Sequence, residues 1–333
     1  MKKYSIGIDI GGTKCAVILG KAQISQIDTN NFILDRVVFD TEIERGPNQI
    51  VQYICSVIKK TLDKHQIETK DVVGIGISCG GPLDYKKGII MNPPNLLGWD
   101  DIPIVEIIRN QFDIPTYLQN DANACALAEW QFGAAKGCEN VIFLTFGTGM
   151  GAGIILNGRL YNGTNGMAGE IGHIRLAENG PVGYGKAGSL EGFCSGGGIA
   201  QVARIKVMEQ LQMGIQPSIC PSFELLSCLN AKDIATAAEK GDELALEIYR
   251  TSGHYLGKGL AIILDMLNPE IIVIGSIYER SKDLIWQSAY AAIRQEALER
   301  SLQCCQITPA LLGNQIGDYA SLAVALQGGE GSE

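Results

Sequence analysis

Several things are missing from this 333-residue chain, and each absence removes a class of protein. It has no run of about 18 uninterrupted apolar residues, so no membrane-spanning helix is expected. No apolar leader follows Met1-Lys2-Lys3, because the first strand-like run already carries Asp9, and a secretory signal is not expected. Positive charge is scarce: 27 Lys and Arg stand against 36 Asp and Glu, a net charge of −9. That balance argues against nucleic acid or a membrane surface as partner. The ten cysteines form no C-x-x-C pair and only Cys304 and Cys305 are adjacent, the usage of a reduced, cytoplasmic protein. Low complexity is confined to the last six residues, 328–333, which are expected to be unstructured. What remains is 46% apolar and 19% charged, ordinary globular composition with length enough for two domains.

Against that background one pattern occurs twice. Tyr4–Asp9 and Cys15–Leu19 are short apolar β-type runs joined by Ile10-Gly11-Gly12-Thr13-Lys14. Residues 141–146 and 152–156 repeat the design, joined by a turn holding Gly147, Thr148, Gly149 and Gly151. Both read as β-hairpins whose glycines let backbone N–H groups approach an anion, while the threonines add hydroxyls. Neither turn is G-x-x-x-x-G-K-[ST] and neither opens straight into a helix, which excludes P-loop and Rossmann readings. Two phosphate-type hairpins about 135 residues apart suggest two similar lobes facing a nucleotide, the signature of the actin/Hsp70/hexokinase superfamily.

The rest alternates. Ile33–Thr41 reads as a third strand and Pro47–Gln66 as a helix with Ile50, Val51, Ile54, Val57, Ile58 and Leu62 on one face. Val72–Ile77 is a buried strand followed by a turn through Gly81. Pro115–Gln119 is another strand, delivering Asn120 and Asp121 at its end. Beyond a Gly-rich stretch at 162–198 the pattern is mainly helical, with a buried strand at 270–274 ending at Gly275 and helices at 284–298 and 313–325. This is an α/β protein, in which ligands collect at the carboxyl ends of strands.

Taken together, the motifs resemble those of the ROK family of bacterial sugar kinases and related repressors. The matching residues are Asp9–Lys14, Gly74–Asp84 with Pro93–Trp99, Asn120-Asp121-Ala122-Asn123-Ala124 and Thr145–Gly153. Ala168–His173, Leu190-Glu191 and Gly313…Gly317-Asp318-Tyr319-Ala320 complete the set. The resemblance implies a two-lobed, ribonuclease H-like α/β fold with a cleft between lobes. The small lobe would comprise 1–118 plus 318–330, and the large lobe 119–317. It also implies ATP and Mg2+ as cofactors and a homodimer.

The resemblance also implies roles. Asp121 would be the general base that takes the proton of a sugar hydroxyl, although Asp and Asn at that place equally suit a helix N-cap. Gly81, Asn120, Asp121, Glu170, His173 and Glu191 would bind the sugar. Asp9, Gly11, Gly12, Thr13, Lys14, Thr145, Gly147, Thr148, Gly149 and Gly275 would line the ATP site. Asp9 would hold magnesium, directly or through water. Lys14 has a plainer reading as a solvated strand-end charge. His65 and His254 are read as structural.

One departure stands out. The family usually binds zinc with its histidine and three cysteines, and counting back from Glu191 those positions hold Val182, Tyr184 and Ser189. Without thiolates no tetrahedral zinc site is expected. Tyr184, Ser189 or a nearby backbone carbonyl is expected to orient His173 instead.

Three functions are compatible with this fold class. The first is phosphorylation of the 6-hydroxyl of glucose or a related hexose, with N-acetylmannosamine or N-acetylglucosamine as alternative substrates. The second is a sugar-sensing regulator lacking a DNA-binding domain, since the first strand begins by residue 4. The third, an actin- or Hsp70-like ATPase, would have no use for Glu170, His173 and Glu191.

Overall fold

The computed structural model describes residues 3–22 and 32–328. The expected unstructured tail therefore lies, from residue 329 on, outside the described residues. The chain divides into two compact α/β units. One runs to Gly137 and adds Leu160–Ala168 and the residues from Asn314 onward. The other is Cys138–Arg159 with Gly169–Gly313.

In the first unit β1 (Tyr4–Ile10) and β2 (Lys14–Lys21) form the expected antiparallel hairpin, and β3 (Ile33–Asp40) pairs antiparallel with β2. Helix α1 (Gly46–His65) buries the six apolar residues expected of it, then β4 (Val72–Cys79) joins β1 in parallel. A small hairpin, β5 (Leu83–Asp84) and β6 (Ile89–Ile90), leads to α2 (Ile104–Phe112). Strand β7 (Thr116–Asn120) then pairs in parallel with β4 and runs straight into α3 (Asp121–Gln131). The sheet order is β3-β2-β1-β4-β7.

In the second unit β8 (Val141–Leu144) and β9 (Ala152–Leu156) form the second hairpin, continued by β10 (Arg159–Leu160). After β11 (Val182–Gly183) and β12 (Lys186–Ala187) come α4 (Leu190–Cys194), α5 (Gly196–Gln212), α6 (Ala231–Glu239) and α7 (Glu243–Leu267). Then follow β13 (Ile271–Ile274), α8 (Ile277–Glu296), α9 (Glu299–Gln303) and β14 (Gln306–Pro309). The sheet order is β10-β9-β8-β13-β14, with β8–β13 and β13–β14 parallel. The two sheets therefore repeat one plan, an antiparallel hairpin extended on one side by parallel strands. The central parallel strands are almost wholly apolar, Ser78 excepted, because both their faces are covered.

Each unit has its own core. Ile6, Ile8, Ile54, Ile58, Ile75 and Ile77 anchor the first, and Ile142, Leu144, Tyr249, Leu260, Ile272 and Tyr278 the second. In the first unit the closing helix, Ile316–Gln327, lies against β1, β4 and α3. Gly76 allows that approach: a Cβ there would stand 2.2 Å from the Ser321 carbonyl oxygen. Because α3 packs on the closing helix, the first unit reaches Gly137, past the boundary expected at 118.

Candidate functional site

The first unit gathers its candidate residues at the carboxyl ends of β1, β4 and β7. Asp9 sits near the end of β1. The turn after it is closed by the Gly11 N–H donating to the Lys14 carbonyl at 3.0 Å, and Thr41 Oγ1 donates to the Gly11 carbonyl at 2.6 Å. Thr13 and Lys14 are exposed at its tip. At the end of β7 the N-cap question resolves. Asn120 is the cap, its Oδ1 accepting from the Ala122 N–H at 3.0 Å, and Asp121 is the first helical residue. Asp121 Oδ1 accepts from the same N–H at 2.8 Å. Its Oδ2 looks toward Gly80, 3.9 Å from where a Cβ on that glycine would stand. Gly81 lies beside Asn120, whose Nδ2 is 3.3 Å from the corresponding point. Gly81, Asn120 and Asp121 are thus brought together.

Carboxylates dominate this place. Solvent reaches Asp121 from one side, yet the protein packed around its carboxyl strips away enough water to hold its pKa above the ordinary range. Asp9 is pushed up to about 6, first by desolvation and then by the charges of Asp318 and Asp121, with Arg36 opposing. Asp318 itself is buried and paired to Arg36, Nε–Oδ2 2.7 Å. Gly317 keeps room for the Asp9 carboxylate: a Cβ would come within 2.6 Å of its Oδ2. A divalent cation suits such a spot electrostatically. Among the described residues, however, no three His, Cys, Asp or Glu side chains converge to hold one, so water and phosphate oxygens would have to complete its shell.

A pH prediction follows from Asp9. Its folded pKa lies above the unfolded value of 3.8, so the folded state binds the extra proton between those values. Stability from this group is complete below the lower pKa and is lost as pH rises through about 6. The loss amounts to roughly 2–3 kcal/mol. Urea unfolding without ligands should therefore show Asp9→Asn gaining on wild type by about 2 kcal/mol between pH 4.5 and pH 7.5. An equal difference at both pH values would refute it.

In the second unit the hairpin turn is braced by two helix starts. The Gly196 N–H at the head of α5 donates to the Gly147 carbonyl at 2.8 Å, and the Ile277 N–H at the head of α8 to the Phe146 carbonyl at 2.9 Å. The Thr145 hydroxyl works inside the turn, accepting from the Gly151 N–H at 2.8 Å, while Thr148 and Gly149 are exposed. Gly275 ends β13, its N–H donating to the Leu144 carbonyl at 3.0 Å.

Glu170 caps the 3₁₀ turn Ile171–His173 and His173 ends it, and residues three apart in such a turn eclipse one another. Glu191 stands beside them in α4. Its Oε2 accepts from the Met150 N–H at 3.0 Å and so ties Glu191 to the hairpin turn. Gly172 makes this closeness possible, since a Cβ there would lie 2.0 Å from the Met150 carbonyl oxygen.

The loop carrying Tyr184 and Ser189 corrects one expectation. Ser189 is buried and spent as the N-cap of α4, Oγ accepting from the Gly192 N–H at 3.1 Å. Tyr184 is 85% exposed and meets His173 edge-on, ring centroids 6.2 Å apart, without a hydrogen bond. Among the described residues no backbone carbonyl bonds the ring either. The backbone is gripped instead: Lys186 Nζ donates to the His173 carbonyl at 2.8 Å. Gln201 pairs with both the N–H and the carbonyl of Val182, at 2.9 and 2.8 Å.

Other features were not legible beforehand. Ser276 caps α8 at φ 57, ψ −110, with Glu279 Oε1 accepting its N–H at 2.7 Å, so β13 opens directly onto a short helical segment that kinks at Ser281 before the helix expected from residue 284. Ser-x-x-Glu before an apolar run was the available signal. Gln119 and Asn162 join Asn123 in a network with no sequence signature. His65 proves to be the last residue of α1, its Nε2 2.8 Å from Asp35 Oδ2, and His254 lies on α7 against Tyr255.

Two α/β units of one topological plan, each with a Gly/Thr hairpin turn beside carboxylates, define the two-lobed, actin-like sugar-kinase fold. The chain belongs to the ROK family, whose model matches residues 5–327. It is 32% identical over 317 residues to a glucokinase of Halalkalibacterium halodurans, covering 95% of this chain and 92% of that one. A xylose repressor of Caldicellulosiruptor bescii is 29% identical, covering 86% of this chain and 71% of the repressor. Among solved structures, a ROK family glucokinase from Streptomyces griseus in complex with glucose and AMPPNP matches with TM-score 0.73. The two are 28% identical, over 97% of this chain and 99% of that one.

Proposed function

We propose that this chain is an ATP-dependent hexose kinase acting on the 6-hydroxyl of glucose or a close relative. The observation that carries the reading is Asp121. It is a carboxylate with one oxygen committed to the helix start and the other directed to the Gly80-Gly81 turn, beside Asn120. A carboxylate so placed accepts the proton of a sugar hydroxyl as that oxygen attacks phosphorus.

The remaining roles follow the chemistry of each group. Gly81 and Asn120 with Glu170, His173 and Glu191 supply the acceptors and donors that a ring of hydroxyls requires. The turns at Gly11–Lys14 and Thr145–Gly149, with Gly275, offer backbone N–H groups and hydroxyls to the phosphates of ATP. Asp9 is the residue that would hold magnesium, through water. The ion, when bound, neutralises charge on the β- and γ-phosphate oxygens. The glucokinase relatives support the kinase reading. N-acetylmannosamine and N-acetylglucosamine are the alternative substrates. Repressor relatives share the fold, so turnover is what separates the classes.

An ATP-coupled screen of the purified protein against glucose, fructose, mannose, allose, N-acetylglucosamine and N-acetylmannosamine tests this. At least one hexose should give sugar-dependent ADP release and a 6-phosphate product. No sugar-dependent turnover with any of them would overturn the proposal.

A further inference from the structure

Strand β7 is the last in its sheet, so no further strand is available to its outer backbone groups. The N–H of Asn120, at the bend where strand becomes helix, is taken by a side chain. Gln119 Oε1 accepts it at 2.9 Å. One turn into α3, Asn123 Nδ2 donates to the same Gln119 oxygen at 3.1 Å and to Asn162 Oδ1 at 3.0 Å. Gln119 Nε2 also donates to Asn162 Oδ1, at 3.0 Å. Three amides thus close a triangle around the residues that present Asn120 and Asp121.

The triangle is a poor choice for stability alone. Gln119 and Asn123 are buried, and Asn123 Oδ1 is left with no hydrogen-bond partner. Burying an unpaired acceptor is costly, and an apolar cluster of similar volume would avoid the cost. Such a network is useful for fixing one geometry, because amide hydrogen bonds have direction and apolar contacts do not. Asn162 comes from Leu160–Ala168, the segment that leaves β10 to join the first unit. Its carbonyl accepts from the Ala168 N–H at 3.2 Å, and Gly169-Glu170 follow immediately in the chain. The side-chain amide of Asn162 thus holds the helix start that carries Asp121, while the bond to Ala168 belongs to its backbone carbonyl and does not depend on the side chain.

We infer that Asn162, acting through Gln119 and Asn123, is a positioning residue for phosphoryl transfer. It sets the strand-to-helix bend that aims Asp121. The inference rests on the kinase reading above. Asn162→Ala removes the shared acceptor, so that Gln119 Nε2 loses the bond to it and Asn123 Nδ2 keeps only Gln119 Oε1. Asn162→Asp keeps an acceptor of the same shape.

The test combines hydrogen exchange with steady-state kinetics. In Asn162→Ala, amides across residues 117–124 should exchange faster, while the thermal midpoint falls by only the few degrees expected from a lost buried acceptor and unfolding stays cooperative. Misplacing a reacting group by a fraction of an ångström to an ångström should lower kcat about ten- to a hundred-fold, with the KM for ATP unchanged. Asn162→Asp should restore most of both. Unchanged exchange, kcat at the wild-type level, or no rescue by Asn162→Asp overturns the inference. Global melting of Asn162→Ala also overturns it, since the amide would then be a structural strut. If the wild type phosphorylates no sugar, the kinase reading fails instead, and the exchange experiment still decides whether Asn162 holds the bend.

Discussion

Asp121→Asn should leave a folded protein that still binds sugar and has lost phosphoryl transfer by about 10²–10⁴-fold in kcat. The fold should survive because the helix start does not depend on charge. Asn120 is the cap, and an asparagine at 121 still offers an Oδ1 to the Ala122 N–H. Sugar binding should largely persist because the amide is nearly isosteric with the carboxylate. What disappears is the proton acceptor: of the neighbouring carboxylates, Asp318 is held by Arg36 and Asp9 is turned to Gly317.

The pH profile gives the same residue a second signature. Desolvation raises the pKa of Asp121, and a base works only when ionised. The acid limb of wild-type kcat/KM should therefore fall at a higher pH than an ordinary carboxylate would give. Residual turnover in Asp121→Asn should lack that limb. Removing the charge also relieves Asp9, whose pKa Asp121 helps to raise. Turnover within a few-fold of wild type, measured with ATP and the sugar found by the screen, would sink the assignment.

Gly172→Ala carries the second large effect, and its cause is space alone. The added methyl would stand 2.0 Å from the Met150 carbonyl oxygen and 3.3 Å from Glu191 Cβ. The first of these neighbours is backbone and cannot swing aside as a flexible side chain would. Either the 3₁₀ turn or the hairpin turn at 145–151 must shift. Overpacking of this kind costs about 1–3 kcal/mol, and backbone on the receiving side points to the upper end. The turn that shifts carries Glu170 and His173, and Glu191 bonds the Met150 N–H.

Sugar affinity should therefore weaken by at least about ten-fold, since one lost hydrogen bond to a charged group is worth about 1.5–3 kcal/mol. Gly197→Ala is the control. Its methyl would meet nothing closer than 3.9 Å, at the start of α5. A Gly172→Ala protein with wild-type melting temperature and wild-type sugar KM would show this reading to be wrong.

Much of this molecule was legible because its signals are local. Alternating and continuous apolar runs located both hairpins and the buried strands β4 and β13, since burial on one or two faces dictates those patterns. The spacing of Ile50, Val51, Ile54, Val57, Ile58 and Leu62 located α1 for the same reason. The three-residue separation of Glu170 and His173 already required that they share a side of any helical turn.

Position and partnership belonged to the tertiary structure. Whether Asn120 or Asp121 caps α3 depends on φ and ψ at the strand-to-helix bend, and their order in the chain does not encode that. Ser189 and Tyr184 both carry hydroxyls, but the start of α4 took the first and a left-handed turn at φ 42 sent the second outward. Gln119 and Asn162 meet across 43 positions of chain, and Arg36 and Asp318 across 282. The sequence by itself determined which segments become strands, helices and turns, because backbone propensity and burial act over a few residues. Only the tertiary structure decided which carboxylate is paired, which stays open and which amide aims it, because those outcomes depend on groups that folding brings within 3 Å of one another.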